Sequence, residues 1–155
     1  MTEFERDLVK AFNRYFENNG VDGIAYRRKQ HKFSDQFCDI LVDSNHPDFY
    51  LGIENKSVKL SSRKKLYFTQ HFSHSNGTHQ VDKITNFLKK SGRKGFLAIE
   101  IKRGRGKPRK AYLVPWNVVR GKFESDEVGI DLQKRDQFQE IDRVSDIYSI
   151  EELFG

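Results

Sequence analysis

Three charged side chains in two neighbouring apolar stretches have the types and spacing that phosphodiester chemistry needs. Glu54 and Lys56 lie two residues apart in the predicted strand 49–58, so side-chain alternation puts both on one face. Asp39 stands at the start of the predicted strand 38–43, and a hairpin of the two strands brings it near Glu54. Two carboxylates suit Mg²⁺, which binds one or two of them and keeps several waters. Such an ion would activate a water nucleophile, while Lys56 positions that water or stabilises the pentacovalent transition state.

An ion pair on an exposed sheet face is the alternative explanation for these residues. A Glu-x-Lys tripeptide occurs by chance in many proteins and carries little weight alone. Asp39, followed after fourteen residues by Glu54-x-Lys56 on a strand, is a more specific arrangement. It favours a metal site with Asp39 and Glu54 as ligands.

Two helix residues are further candidates, each with an ordinary structural alternative. Glu5 falls inside the apolar stripe of the first predicted helix at about 100° per residue. It is therefore a capping-box partner of Thr2, an active-site group, or both. Gln80 lies at the edge of the apolar face of a later helix. It either orients water or phosphate near the metal or is a first-turn polar residue.

Loop residues around these elements give weaker signals. Ser34 precedes Asp39 and either binds a phosphate or makes a turn. His71, His74 and His79 invite a zinc site, but no Cys partner or sharp ligand spacing accompanies them. Phosphate contacts or disorder explain these histidines better.

Hydrophobic periodicity predicts the elements that position these residues. The predicted helices are 2–19, capped by Thr2, and 78–91, capped by Thr78, with a short helix 145–154 in the acidic tail. The predicted strands are 24–28, 38–43, 49–58, 95–102 and 111–115, and segment 59–79 is expected to be irregular. No repeat or linker interrupts the chain, so we expect one domain over residues 1–155. The element order predicts an α/β fold, a mixed β-sheet flanked by helices.

Basic charge is concentrated in the middle of the chain. The net charge is +6 overall, but it is −2 over residues 1–26, +13 over 27–110 and −5 over 111–155. Any single basic run is normally a solvated surface. Four runs in one segment between acidic flanks favour a face that binds a polyanion, with nucleic acid as the first candidate.

Composition excludes several other classes of protein. Cys38 is the only cysteine, so a disulfide scaffold is excluded, and we expect it to be a small core residue. No apolar run approaches the roughly 20 residues of a membrane span. The N-terminus is charged at once and lacks the apolar core of a signal peptide. The abundance of aromatic residues, 13% of the chain, argues against a disordered protein. We therefore expect a soluble protein of a reducing compartment, with no membrane partner.

The arrangement of Asp39, Glu54 and Lys56 resembles the active-site motif of the PD-(D/E)XK nuclease superfamily. The resemblance extends to archaeal Holliday junction resolvases of the Hjc type over about residues 3–119. The matching segments are Phe4-Glu5-Arg6-Asp7-Leu8-Val9, Ala25-Tyr26-Arg27-Arg28, Cys38-Asp39-Ile40-Leu41-Val42 and Leu51-Gly52-Ile53-Glu54-Asn55-Lys56. The helix beginning His79-Gln80-Val81 also resembles the Gln-bearing helix of the bacterial RecU resolvases. Cys38 stands where the superfamily has its Pro, and segment 59–79 is longer than expected for the archaeal type.

The resemblance implies a restriction-endonuclease-like fold and a structure-specific endonuclease that resolves four-way junctions. Mg²⁺, for which Mn²⁺ can substitute, would be held by Asp39 and Glu54 with support from Glu5, and Lys56 would assist catalysis. A homodimer would nick branched double-stranded DNA in pairs, in the cytoplasm and at the nucleoid. The expected DNA contacts are basic or polar residues: Arg27, Arg28, Lys29, Lys32, Ser34, Lys59, Arg63, Lys64, Lys65 and Gln80.

Three alternatives stay open at this point. A restriction or repair endonuclease of the same fold would cut ordinary duplex at a sequence or a lesion. A non-catalytic nucleic-acid-binding module would not need Asp39 for anything but binding. A ribosomal or RNA-binding domain would have basic clusters, but it gives no reason for the carboxylates of Asp39 and Glu54.

Overall fold

A seven-stranded mixed β-sheet with helices on both faces forms the framework of the computed structural model, which describes residues 2–28, 37–60, 64–151 and 153. The helices are α1 (Glu3–Asn19), α2 (Gln80–Ser91) and α3 (Trp116–Glu124). The strands of the large sheet, in spatial order, are β1 (Gly23–Arg27), β2 (Ile40–Ser44), β3 (Leu51–Lys59), β7 (Lys94–Lys102), β8 (Lys110–Pro115), β10 (Gln139–Val144) and β11 (Ile147–Ser149). Two small sheets pair β4 (Lys65–Tyr67) with β9 (Gly129–Asp131), and β5 (His74–Ser75) with β6 (Thr78–His79). The predicted mixed α/β architecture is confirmed.

Helix α1 packs on one face of the sheet through the apolar stripe predicted for it. Its side chains Phe4, Leu8, Phe12 and Phe16 are each at most 3% exposed. The Thr2 hydroxyl caps the helix by accepting a hydrogen bond from the Glu5 N–H at 3.2 Å. The helix contacts both edge strands, β1 and β11, so it lies across the concave side of the sheet.

The strands β2 and β3 form the predicted hairpin, joined by a short 3₁₀ turn at Pro47–Phe49. Their register pairs Ile40 with Ile53, so the next pair outward is Asp39 opposite Glu54. Opposed residues of an antiparallel pair extend their side chains to the same face. The hairpin thus places the two carboxylates together. On its other side β3 pairs in parallel with β7, with Lys59 opposite Lys102.

Helix α2 covers the opposite face, where two glycines allow it to approach the sheet closely. Gly52 and Gly95 are paired across β3 and β7, and Leu88 of α2 lies over both. A Cβ at either position would collide with the Leu88 side chain. This contact sets the depth of α2 on the sheet, so that Gln80 in its first turn reaches the level of Glu54.

Several sequence predictions are wrong in detail. His79, not Thr78, is the N-cap of α2, because its Nδ1 accepts the Val81 N–H at 3.0 Å. The tail helix predicted at 145–154 does not form over the described part of that segment. Ser145 and Asp146 adopt positive φ of 52° and 65°, which makes a tight turn between β10 and β11.

Other elements went unpredicted. Helix α3 and strands β9 and β10 follow β8, and the supposedly irregular segment 59–79 contains β4, β5 and β6. Cys38 is buried in the core beneath α2, as predicted. No helix among the described residues has both the length and the apolar character needed to cross a membrane.

Candidate active site

Asp39 and Glu54 form a pair of facing carboxylates at the centre of the site. The Asp39 Oδ2 accepts a hydrogen bond from the Asn55 backbone N–H at 2.7 Å, which fixes the carboxylate beside β3. Glu54 is only 2% exposed, and its carboxyl group lies within hydrogen-bonding reach of that of Asp39. The hairpin register, which sets Asp39 opposite Glu54, therefore brings the two carboxyl groups together.

The environment of Glu54 opposes its negative charge. Burial raises the pKa of Glu54 well above its usual value, and the neighbouring Asp39 charge raises it further. The Lys56 ammonium, 3.1 Å from Glu54 Oε2, lowers that pKa but does not offset the other two effects. Additional positive charge near Asp39 and Glu54 would stabilise the ionised forms of both carboxyl groups.

Lys56 is held from two directions. Its Nζ contacts Glu54 Oε2, and the same atom lies 4.7 Å from the centre of the Phe72 ring. A cation over an aromatic face is stabilised by the ring quadrupole without losing its hydrogen-bond donors. Phe72 is 4% exposed, so the ring is a fixed platform that aims the ammonium toward Glu54.

Gln80 orients the other side of the Glu54 carboxylate. Its Nε2 donates to Glu54 Oε2 at 2.9 Å, and its Oε1 accepts the Ser73 N–H at 3.0 Å. The Gln80 N–H in turn donates to the Ser73 carbonyl at 2.8 Å. The Ser73 backbone thus clamps both ends of Gln80 and determines which way its amide faces. The side chain is 3% exposed, so it acts inside the site rather than on the outer surface.

His79 anchors this clamp. Its Nδ1 caps α2, and its Nε2 lies 2.7 Å from the Phe68 carbonyl oxygen. With Nδ1 accepting from the Val81 N–H, Nε2 is the nitrogen that donates to the Phe68 carbonyl. The histidine is a structural link between segment 66–79 and α2.

Glu5 reaches the site from the opposite face of the sheet. It is 9% exposed, and burial followed by the Asp39 charge raises its pKa. Arg27, whose Nε is 3.4 Å from Glu5 Oε2, lowers that pKa. The stripe position predicted for Glu5 is confirmed, and its cap by Thr2 coexists with its place beside Asp39.

The donor set fits a hard divalent cation at Asp39 and Glu54. Glu54 Oε1 is buried and has no hydrogen-bond partner among the described residues, so one carboxylate oxygen is left for an added ligand. No group of three or more His, Cys, Asp or Glu side chains in the described ranges is arranged around a common point. Two carboxylates with water completing the shell match the way Mg²⁺ is bound.

The candidate DNA contacts fall in different places. Lys29, Lys32, Ser34 and Arg63 lie outside the described residues. Arg27 pairs with Glu5, and the Arg28 guanidinium stacks 4.6 Å from the centre of the Phe37 ring. Of the three lysines, Lys59 is the last residue of β3, Lys64 directly precedes β4, and Lys65 is the first residue of β4.

Phe72 and Ser73 complete the site but escaped sequence reasoning, which also missed the structural role of His79. They come from segment 59–79, whose hydrophobic residues show no helical or strand period. A usable signal was the group of apolar and aromatic residues Leu66, Tyr67, Phe68 and Phe72 just before Gln80, in a segment that is mostly polar. Such residues in a polar segment indicate that it packs on the core.

The raised pKa of Glu54 predicts the effect of Glu54→Gln on stability without metal. A carboxyl whose pKa is higher in the folded state binds its proton more tightly there, so its contribution to the free energy of unfolding falls as pH rises above its unfolded pKa. In EDTA at pH 7.5 we expect Glu54→Gln to be more stable than wild type by about 1–2 kcal/mol. At about pH 4 the gain should vanish. Urea unfolding at both pH values measures this.

The matched control is Glu17→Gln, which neutralises an exposed carboxylate of α1. It should change stability little at either pH. A destabilised Glu54→Gln at pH 7.5 would show that Lys56 and Gln80 compensate the buried charge without a metal.

Comparison with known proteins shows which known fold the chain has. No protein-family model matches the sequence, and no curated protein matches it either. Among solved structures the chain is similar to Hjc of Archaeoglobus fulgidus, a Holliday junction resolvase from an archaeal hyperthermophile. The match has a TM-score of 0.55 and 22% sequence identity, and it covers 89% of this chain and 92% of that one. The chain therefore has the fold of that nuclease, as the sequence motif predicted.

Proposed function

We propose that the chain is a structure-specific DNA endonuclease that resolves four-way junctions by Mg²⁺-dependent hydrolysis of phosphodiester bonds. Residues 1–155 would form one nuclease domain, and two copies would pair to nick opposing strands. The observation that carries the proposal is the contact of Asp39, Glu54 and Lys56 on this fold. The likeness to an archaeal junction resolvase supports the choice of substrate.

The metal would be held by Asp39 and Glu54, with Glu5 as a supporting carboxylate. When bound, Mg²⁺ supplies positive charge at the phosphate and lowers the pKa of a coordinated water. Glu54 would hold the ion with its Oε1, which has no hydrogen-bond partner among the described residues, and Asp39 would use the oxygen that does not accept the Asn55 N–H. Binding there would relieve the repulsion that raises the pKa of Glu54.

Lys56 would act on the reacting groups. Its Nζ has three donors, of which one faces Glu54 and the remainder are available for the attacking water and a phosphate oxygen. As the water oxygen bonds to phosphorus and the ester oxygen leaves, negative charge grows on the phosphate oxygens. An ammonium fixed by Phe72 stabilises that charge without reorganising first.

DNA would be held by contacts to its backbone. Residues 27–110 have a net charge of +13. Contacts to backbone phosphates give affinity without recognising a base sequence. This property suits an enzyme that recognises the shape of a branch.

A cleavage assay on three substrates tests the proposal. A four-way junction, a replication fork and a linear duplex are each incubated with Mg²⁺ and with EDTA. We expect symmetric nicks in the junction only, with Mg²⁺ only, and Mn²⁺ in place of Mg²⁺ should also support cleavage. Cleavage of linear duplex at a defined sequence or lesion would instead indicate a restriction or repair enzyme.

Two variants separate catalysis from binding in this assay. Lys56→Ala should lose cleavage by about a hundredfold or more while it binds the junction nearly as wild type. Asp39→Asn should lose cleavage and bind at least as well, because a negative charge near phosphate is gone. Full cleavage by folded Asp39→Asn would contradict the assignment of Asp39 to the metal site, whereas a wild-type protein that binds the junction and cleaves no DNA would favour a binding module.

The Phe72 platform yields a further prediction about the rate. Phe72→Leu keeps an apolar side chain under Lys56 but removes the aromatic face. We expect the single-turnover rate on the junction to fall about three- to tenfold, with an unchanged dissociation constant, since a cation–π contact is worth about 0.5–2 kcal/mol. The ammonium would still be present but less well aimed.

Phe68→Leu is the matched control, because Phe68 lies in the same segment and is equally buried. Its ring contacts Phe72, His79 and Phe123. Both variants should lose similar stability, but only Phe72→Leu should slow cleavage. Equal slowing by both would mean that the segment acts only through general packing.

A further inference from the structure

The loop between β7 and β8 is the most basic stretch of the chain that the candidate site leaves unused. Residues 102–110 contain six basic residues and no acidic one. Because β3 and β7 run in parallel, the loop leaves the sheet at the end toward which β3 runs from Glu54 through Lys56 to Lys59. The Leu60 N–H donates to the Lys102 carbonyl at 3.1 Å and ties the two strand ends together.

The loop has a defined shape. Gly104 and Gly106 adopt positive φ of 109° and 78°, a conformation that glycine adopts without strain. The Lys107 N–H donates to the Gly104 carbonyl at 3.2 Å, and Arg103 Nε donates to the Pro108 carbonyl at 2.9 Å. The Arg103 side chain is therefore used in a hydrogen bond that stabilises the loop itself.

Two other basic residues of the loop have acidic partners within the fold. Arg109 NH1 lies 3.3 Å from Glu3 and 3.7 Å from Glu100, and burial of Glu100 makes this a structural contact. Lys110 Nζ lies 3.7 Å from Glu140. What is left at the tip is Arg105 and Lys107, both exposed and without an ion pair to any residue the structure describes.

We propose that the tip of the β7–β8 loop is a binding site for backbone phosphates of duplex DNA, with Arg105 and Lys107 as its ligand-contacting residues. The proposal rests on the proposed nuclease function and adds the place where a DNA arm is held. Arg offers a fork of donors that matches phosphate geometry, and Lys adds a point charge. The two internal hydrogen bonds keep the tip in one shape, so little loop entropy is lost on binding.

The geometry sets which phosphates the tip contacts. Leu97 is the register partner of Glu54, and Lys102 lies five residues further along β7. At about 3.3 Å per residue this is about 17 Å, or roughly five base pairs of duplex. The tip would therefore hold an arm away from the scissile phosphate and contribute to affinity rather than to the chemical step.

The chain offers a matched control at the opposite end of the sheet. Lys89 and Lys90 are exposed in the last turn of α2, whose first turn is at Glu54. They lie near the start of β7, whereas Arg105 and Lys107 lie beyond its end. Each pair removes two positive charges when replaced by alanine, so the two double variants differ in place and not in charge.

The experiment measures binding of a four-way junction in EDTA over a series of salt concentrations, with the oligomeric state checked by light scattering. For Arg105→Ala/Lys107→Ala we expect about tenfold weaker binding and a salt slope smaller in magnitude by about 1.8, since each lost phosphate contact removes about 0.9. Lys89→Ala/Lys90→Ala should bind as wild type. With Mg²⁺ and saturating enzyme, both should cleave at the wild-type rate.

Three results would overturn the assignment of the loop. These are wild-type binding by the loop variant, an equal loss in the α2 variant, and a loss that accompanies a changed oligomeric state. Failure of the proposed function has a different signature, because the wild type would then bind the junction and cleave no DNA with Mg²⁺. The binding comparison decides the role of the loop in either case.

Discussion

The structure depends on the burial of two facing carboxylates. Asp39 and Glu54 lie side by side at the open end of the β2–β3 hairpin, away from its turn, and solvent reaches only 2% of Glu54. A stable fold does not need such a pair, since apolar residues at these places would avoid both desolvation and repulsion. Burial and the neighbouring Asp39 charge both raise the pKa of Glu54, because the protein alone accommodates the negative charge poorly. A bound divalent cation would offset both the desolvation and the mutual repulsion of these two carboxylates.

The surrounding fold serves to hold that pair in place. The hairpin register sets Asp39 opposite Glu54, and the glycines paired across β3 and β7 let α2 descend until Gln80 meets Glu54. Segment 66–79 then closes over the site and fixes Lys56 and Gln80 through Phe72 and the Ser73 backbone. The same carboxylate oxygen, Glu54 Oε2, receives both contacts, which leaves Oε1 for a ligand.

Sequence reasoning succeeded where local pattern and chemistry agree. The period of α1 located Glu5 on the buried face, and strand alternation with hairpin pairing brought Asp39, Glu54 and Lys56 together. Sequence reasoning failed where contacts between distant parts of the chain determine the local structure. His79 caps α2 because its second ring nitrogen also bonds the Phe68 carbonyl. Phe68 lies 11 residues earlier in the chain, so a local sequence pattern does not reveal this contact. The tail became a hairpin because a residue such as Tyr148 gains more by burial beside α1 than a surface helix would gain.

Anomalous diffraction from crystals soaked in Mn²⁺ tests the central claim most directly, because it locates a cation without depending on activity. The account predicts one peak coordinated by Asp39 and Glu54, with Glu54 Oε1 among its ligands and with the peak lost in Glu54→Gln. A wild-type crystal without a peak at these carboxylates, at saturating Mn²⁺, would contradict the metal site and the nuclease mechanism built on it.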